Sequence, residues 1–149
     1  MAIFNVRAYG LLVNEANQIL ISDEKEYGRL FTKFPGGGLE YGEGLTDCLK
    51  REFLEECNVG VEVLSHFYTT DFFVKSAFSD AQIVSIYYMV KNLSPLNLAI
   101  KQTPFDFDTD GDVLQVFRYV KISALKAEDV TFPIDQHVVK LLRKQYGFS

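Results

Sequence analysis

Residues 34–59 decide the fold, and they read Phe-Pro-Gly-Gly-Gly-Leu-Glu-Tyr-Gly-Glu-Gly-Leu-Thr-Asp-Cys-Leu-Lys-Arg-Glu-Phe-Leu-Glu-Glu-Cys-Asn-Val. After three glycines, apolar residues recur at spacings of three and four, which predicts an amphipathic helix over residues 45–57. The apolar stripe consists of Leu45, Cys48, Leu49 and Phe53. We expect Gly44 at the N-cap, Asp47 near the positive end of the helix dipole, and Asn58 in the left-handed conformation that ends helices.

Three carboxylates share one face of this predicted helix. Glu52, Glu55 and Glu56 stand at positions i, i+3 and i+4, so their side chains converge and repel one another. A hard divalent cation such as Mg²⁺ or Mn²⁺ would offset that repulsion, because these ions take oxygen ligands. The preceding glycines let the backbone come close to a metal or a phosphate. Taken singly, each feature also suits a solvated acidic helix face or a plain glycine turn.

The segment resembles the signature of the Nudix hydrolases, which is Gly, five residues, Glu, seven residues, Arg-Glu, an aliphatic residue, any residue, Glu-Glu, any residue, Gly and an aliphatic residue. The matching positions are Gly37, Glu43, Arg51, Glu52, Glu55, Glu56 and Val59. Phe53 takes the first aliphatic position, and Asn58 replaces the closing Gly. The resemblance identifies residues 37–59 as a Nudix box that retains every charged position.

The resemblance implies an enzyme that hydrolyses a nucleoside diphosphate linked to another group, with water activated by a divalent cation as the nucleophile. Glu52, Glu55 and Glu56 would hold Mg²⁺ or Mn²⁺, together with a main-chain carbonyl of Gly36 or Gly37. Glu55 and Glu52 both stay open as the general base. A Nudix-fold nucleotide-binding or regulatory module without turnover is the alternative, and the three intact glutamates favour the enzyme.

Arg51 would act through its neighbours, because the resemblance implies that it orients a metal-binding glutamate. Glu43 and Arg51 form a plausible ion pair that would lock the glycine loop to the helix. Glu40 is expected to be a solvated residue. The implied fold is α/β, with a mixed β-sheet sandwiched between helices, in a single domain over residues 1–149.

Many family members supply a further acid downstream of the box, and the candidates here lie in residues 106–112. Asp112 and Asp110 rank first because they are nearest to a strand predicted to begin at Leu114. The same stretch also starts like a calcium loop, but the position that should be Glu is Phe117. A solvated acidic turn accounts for most of these aspartates.

The substrate is the least determined feature. Aromatic or cationic residues that could stack on a base or hold a phosphate are Arg7, Tyr9, Arg29, Lys33, Phe72, Phe73 and Tyr87, although burial in the core is the commoner role for each. The proline typical of ADP-ribose hydrolases is absent near Val74, the tyrosine of dinucleoside-polyphosphate hydrolases is absent near residues 75–77, and the proline-rich NADH-type motif is missing. A nucleoside triphosphate or a nucleotide sugar fits by elimination.

Composition bounds the remaining possibilities. The chain has 149 residues, and its 15 Lys and Arg against 20 Asp and Glu give a net charge of −5, which argues against a surface that coats nucleic acid. Its apolar runs are too short to span a bilayer. Cys48 and Cys57 would lie about 13 Å apart on one helix, too far for a disulfide, which favours reduced thiols and a cytoplasmic location. Homodimers are common among proteins with this signature, so a homodimer is a further expectation.

The rest of the chain alternates strands and helices. Hydrophobic patterns predict strands at residues 5–13, 18–22, 30–34, 61–70, 82–91 and 114–120. The glycine run and the segment with Pro95 and Pro104 are expected to be loops. A final helix is predicted over residues 134–146, with Ile134, Val138, Leu141 and Leu142 inward and Gly147 as its stop.

Overall fold

A computed structural model describes residues 3–149. Met1 and Ala2, which begin the predicted domain, lie outside the described residues. The strands are β1 (Phe4–Leu12), β2 (Gln18–Glu26), β3 (Arg29–Lys33), β4 (Gly36–Gly38), β5 (Val61–Thr69), β6 (Gln82–Asn92), β7 (Ile100–Lys101) and β8 (Val113–Lys121). The helices are α1 (Leu45–Cys57), α2 (Pro133–Gln145) and a 3₁₀ turn at Ala127–Asp129. These elements form two compact units, one from the start of the chain to Leu12 with Pro35–Asn97, the other from Val13–Phe34 with Leu98–Ser149.

The first unit is built on a mixed four-stranded sheet in the order β4-β1-β6-β5. Strand β1 runs parallel to β6 and antiparallel to β4, and β5 runs antiparallel to β6. Helix α1 packs against this sheet, with Cys48, Leu49, Phe53 and Cys57 buried. A Cβ at Gly10 would lie 2.4 Å from the Phe53 ring, so the missing side chain on β1 lets the helix approach closely.

The second unit contains a mixed sheet in the order β3-β2-β8-β7, in which only the β7–β8 pairing is parallel. Strand β2 continues to Glu26, beyond the predicted end at residue 22. The extension was missed because Asp23 and Glu24 are charged, yet both are buried. Asp23 accepts hydrogen bonds from Arg118 at 2.7 and 3.2 Å, and Glu24 pairs with Lys33 at 3.2 Å.

Two predicted loops contain short strands. The glycine run forms β4 because it pairs with β1. Glycine has a low strand propensity, so the local sequence does not predict this strand. The segment with Pro95 and Pro104 contains β7. The final helix begins one residue early, with Pro133 at its first position, where a missing N–H costs nothing. Leu141 is half-buried, and Val139 is fully buried in its place.

The mixed α/β class is confirmed, as two mixed sheets and two α-helices. Cys48 and Cys57 are free and buried, as the helix geometry predicts. Within residues 3–149, no helix combines the length and the apolar character needed to cross a bilayer.

Candidate active site

Helix α1 begins and ends as the sequence predicts. Gly44 is the extended N-cap residue, and its N–H donates to the Asp47 carboxylate at 3.3 Å. Asn58 ends the helix in the left-handed conformation, with φ 50° and ψ 39°, and its N–H donates to the Leu54 carbonyl at 3.1 Å. Asn58 therefore adopts the left-handed conformation that Gly would adopt at this position of the Nudix signature.

Two glycines of β4, Gly36 and Gly37, are required by close contacts with β1 and α1. Gly36 has φ +142°, and a Cβ there would lie 2.1 Å from the Ala8 carbonyl oxygen. A Cβ on Gly37 would lie 2.6 Å from Glu52 Oε1. The Gly37 backbone thus lies directly against the Glu52 carboxylate, which brings a main-chain segment and a carboxylate of the predicted metal site together.

Arg51 is the centre of a hydrogen-bond network that joins α1 to the glycine segment. Its Nε and Nη2 donate to the two carboxylate oxygens of Glu43 at 3.0 and 2.7 Å, which confirms the expected pair. Nη2 also donates to the Gly38 carbonyl at 3.0 Å. Nη1 donates to Glu52 at 3.0 Å and to Glu55 at 3.2 Å. One guanidinium therefore fixes two of the predicted metal-binding carboxylates.

The electrostatics of the network follow from these contacts. The hydrogen bond from Arg51 lowers the pKa of Glu43 to about 2, and the same contact raises the pKa of Arg51. Burial raises the pKa of Glu52, and the neighbouring charge of Glu56 acts in the same direction. Glu40, expected to be solvated, has an exposed side chain whose Oε1 lies 3.6 Å from Arg51 Nη1.

Glu56 and Glu55 differ in their surroundings. Glu56 is half-buried and accepts a hydrogen bond from the Gly36 N–H at 3.0 Å, a contact that the sequence did not predict. Glu55 is exposed, with 58% of its side chain accessible. Across residues 3–149, no three His, Cys, Asp or Glu side chains stand in an arrangement that would already hold a metal ion. The carboxylates are instead bonded to Arg51 and to the Gly36 backbone.

The donor set nevertheless suits a hard divalent cation. It consists of carboxylate oxygens with a main-chain segment against one of them, which is the chemistry that Mg²⁺ and Mn²⁺ prefer. The charges of Glu56 and Glu55 both raise the pKa of Glu52, so the three carboxylates are crowded enough to repel. A divalent cation would offset this repulsion further than Arg51 alone.

Cys48 lies beneath the same loop. Its Sγ is 3.5 Å from the Gly38 carbonyl oxygen and 3.8 Å from Arg51 Nη2. Burial, with the charge of Glu43, raises the pKa of the thiol to about 11. Cys48 is therefore a packing residue at neutral pH, as the sequence indicated.

The candidate further acids lie in the second unit. Asp110 and Asp112 are exposed in the turn before β8, and the Asp112 carbonyl accepts a hydrogen bond from the Tyr27 N–H at 2.7 Å. Asp108, in the same acidic stretch, pairs with Lys101. This segment is an exposed acidic turn in which Lys101 holds the Asp108 side chain, and a role for Asp112 or Asp110 stays a prediction.

The candidate substrate residues of the first unit fall into two groups. Tyr9 and Tyr87 are buried with their ring centroids 5.3 Å apart, and Arg7 is half-buried beside them. Phe72 and Phe73 are exposed in the segment after β5. The first group adjoins β4 through strand pairing, because Arg7 faces Gly38 in the register.

The two candidates of the second unit have different environments. Arg29 is exposed at the start of β3. Lys33 is buried, pairs with Glu24 at 3.2 Å, and donates a hydrogen bond to the Phe34 carbonyl at 3.3 Å. These contacts tie Lys33 into the second unit.

Comparison with known proteins decides the family. A family model described as the NUDIX domain matches residues 4–142, a span that includes both units. The chain belongs to the Nudix family. The enzyme class predicted from the sequence, a hydrolase of phosphoric anhydrides, is confirmed with it. No curated protein sequence matches the chain.

Solved structures of Nudix proteins share its fold. A NUDIX hydrolase from Nitrosomonas europaea aligns with a TM-score of 0.70 at 16% identity, over 97% of this chain and 92% of its own. A MutT NUDIX hydrolase from Burkholderia pseudomallei aligns with a TM-score of 0.68 at 16% identity, over 92% and 96%. An ADP-ribose pyrophosphatase from Streptococcus suis aligns with a TM-score of 0.60 at 12% identity, over 96% and 92%. At these identities the likeness extends to the fold alone.

Proposed function

We propose that this Nudix protein is a metal-dependent pyrophosphohydrolase that cleaves a nucleoside diphosphate linked to another group. The observation that supports this best is the position of Glu52. Its carboxylate lies against the Gly37 backbone, receives a hydrogen bond from Arg51 at 3.0 Å, and is crowded by Glu55 and Glu56. A purely structural helix gains nothing from like charges held together at this spacing.

Glu52, Glu55 and Glu56, with the carbonyl of Gly37, would hold Mg²⁺ or Mn²⁺. When bound, the cation would neutralise the pyrophosphate, polarise phosphorus and lower the pKa of the attacking water. Glu55 or Glu52 would orient that water and accept its proton. Arg51 holds both of these carboxylates, so it would be the positioning residue, and Glu43 would fix Arg51 through its bidentate pair.

For the substrate, we propose a nucleotide-type molecule with a pyrophosphate linkage. Two structural neighbours are an ADP-ribose pyrophosphatase and a UDP-X diphosphatase, so ADP-ribose and UDP-linked compounds are the substrates of those proteins. The missing subfamily markers near Val74 and residues 75–77 favour a nucleoside triphosphate or a nucleotide sugar here. Asp112 or Asp110 is our proposal for a further acid. We also propose that residues 1–149 act as one domain, since the family model spans both units.

We also propose a cytoplasmic location, which the buried, free cysteines support because they indicate a reducing environment. A homodimer is a separate proposal, and the mass of the protein in solution tests it.

The test is a hydrolysis panel. The protein is incubated with Mg²⁺ or Mn²⁺ and nucleoside triphosphates, nucleotide sugars, ADP-ribose and dinucleoside polyphosphates, and phosphate-containing products are followed. We expect turnover of at least one class, lost in EDTA and reduced at least about a hundredfold by Glu55→Gln or Glu52→Gln.

Glu62→Gln is the matched control, because Glu62 is an exposed glutamate that pairs with Lys91 away from the box. Equally flat traces for the wild type and Glu55→Gln across the panel would contradict the enzyme proposal. Nucleotide binding without turnover would then favour a binding module.

A further inference from the structure

Arg7 and Tyr9 stand in a row beside the glycines of β4. They are two residues apart on β1, so their side chains lie on the same face of the sheet. The antiparallel register places Arg7 opposite Gly38 and Tyr9 opposite Gly36. An arginine and a tyrosine therefore line the strand that leads into the Nudix box.

The arginine of the box is committed to groups of the box itself. Arg51 directs its Nε, Nη1 and Nη2 at Glu43, Glu52, Glu55 and the Gly38 carbonyl. A pyrophosphate substrate carries more negative charge than one divalent cation neutralises. A second positive group near the glycine segment would bind the remaining phosphate oxygens, and arginine matches phosphate geometry well.

Gly38 lies next to the Arg7 side chain. The φ of Gly38 lies outside the left-handed region, so its backbone does not require glycine. A Cβ on Gly38 would lie 3.7 Å from Arg7 Nη1 and 3.9 Å from Asn5 Oδ1, which are ordinary contact distances. A methyl group at Gly38 would therefore be tolerated in contact with a guanidinium and an amide, and neither strain nor close packing requires glycine here.

Tyr9 holds the Arg7 guanidinium in this position. Arg7 Nε donates to the Tyr9 hydroxyl, and the guanidinium carbon lies 5.5 Å from the centroid of the Tyr9 ring. Tyr9 is itself 6% exposed and packs on Tyr87, which is 1% exposed. The anchor is rigid, so the orientation of Arg7 would be set before a ligand arrives.

We propose that Arg7 binds a phosphate group of the nucleotide substrate beside Gly38, and that Tyr9 positions Arg7 for this contact. The proposal rests on the nucleotide-hydrolase function proposed above, and it assigns the phosphate contact to a residue outside the Nudix box. Arg7 donates to phosphate oxygens through its Nη atoms, while Nε stays on Tyr9. Gly38 contributes by having no side chain.

The test measures phosphate binding without turnover. Imidodiphosphate, which contains a hydrolysis-resistant bridge and no base, is titrated with Mg²⁺ into the full chain and followed by ³¹P NMR or calorimetry. We expect Arg7→Ala to weaken binding at least about tenfold, the size of a hydrogen bond to a charged group. Arg7→Lys should recover part of the affinity, because it keeps the charge and loses the planar fork.

Two further variants separate binding from folding. Gly38→Ala fits the backbone and the available space, so it should fold normally and still weaken imidodiphosphate binding. Tyr9→Phe alone should weaken imidodiphosphate binding. Added to Arg7→Ala, it should have little further effect, because Tyr9 acts through Arg7. Lys91→Ala removes the same charge from an exposed residue of β6 and should bind as the wild type.

The outcomes distinguish this proposal from the hydrolase proposal. Wild-type affinity in Arg7→Ala, or no imidodiphosphate binding by the wild type, overturns the role of Arg7 even if nucleotides are hydrolysed. Arg7-dependent binding in a protein that hydrolyses no nucleotide upholds it and contradicts the hydrolase. With an active substrate, Arg7→Ala should raise KM about tenfold and change kcat far less. A change confined to the melting temperature would make Arg7 a structural residue and overturn the proposal.

Discussion

Arg51 and Glu43 form a bidentate pair, with Nε 3.0 Å from one carboxylate oxygen and Nη2 2.7 Å from the other. The pair connects the first part of the Nudix box to the middle of α1. Because Nη1 of the same guanidinium reaches Glu52 and Glu55, the geometry of the pair determines where those two carboxylates are held.

Arg51→Lys should lower activity about 10- to 100-fold with the fold retained. Lysine keeps the charge but cannot bond Glu43 in a bidentate manner and also reach Glu52. The measurement is kcat and the Mg²⁺ dependence of hydrolysis, with the neighbouring exposed Lys50→Ala as control. Unchanged kcat and Mg²⁺ dependence in Arg51→Lys would show that the network does not position the glutamates.

Glu43 should contribute a pH-dependent part of the stability. Its pKa is lowered from 4.5 to about 2 by the hydrogen bond from Arg51, so the folded state favours the charged form. The stabilisation is fully present above the unfolded pKa and is lost as the pH falls from about 4.5 through about 2. Urea denaturation of the wild type and Glu43→Gln should show a constant difference near neutral pH that shrinks below pH 4.5. If the difference in the free energy of unfolding stays constant down to about pH 3, the pair with Arg51 is not strong.

Gly37→Ala should impair the site more than the fold. The new methyl group would lie 2.6 Å from Glu52 Oε1, so the flexible carboxylate would have to move. We expect weaker Mg²⁺ dependence and lower kcat, with a melting temperature close to that of the wild type. Gly60→Ala is the control, because a Cβ there would meet Leu93 at 3.6 Å. Equal activity in Gly37→Ala and Gly60→Ala would show that the close contact of Gly37 with Glu52 does not matter for the site.

Arg118→Met should destabilise the second unit by about 3–5 kcal/mol, since it leaves the fully buried Asp23 carboxylate without its charge partner. Thr32, which donates to Asp23 at 2.6 Å, cannot neutralise that charge. The measurement is the free energy of unfolding in urea, with the exposed Asp112→Asn as control. A loss below about 1 kcal/mol would contradict a strong dependence of the second unit on this buried ion pair.

The sequence was most informative where local signals agreed. The bounds of α1, its N-cap at Gly44 and its left-handed end at Asn58 follow from periodicity and capping within a few residues. The pairing of Glu43 with Arg51 was also predictable from the motif. These features depend on short stretches of chain, which a sequence pattern can represent.

Features that depend on distant partners were missed. Strand β4 exists because β1 pairs with the glycines, and the extension of β2 is buried because Arg118 and Lys33 neutralise its acids. The contacts of Arg51 with the Gly38 carbonyl and of Glu56 with the Gly36 N–H depend on how the chain turns between β4 and α1. Opposite charges facing each other on paired strands would have predicted the buried ion pairs. Finding them requires the strand order, which the sequence pattern does not give.

The most direct test of the account is the binding of Mn²⁺ in the absence of substrate, measured by electron paramagnetic resonance for the wild type and for Glu52→Gln, Glu55→Gln and Glu56→Gln. We predict that the wild type binds Mn²⁺ and that the three variants, with Glu52→Gln foremost, weaken binding about 10- to 100-fold. Glu62→Gln should bind as the wild type does. Equal Mn²⁺ affinity in the wild type and all three box variants, or no binding by the wild type, would contradict a metal site on α1.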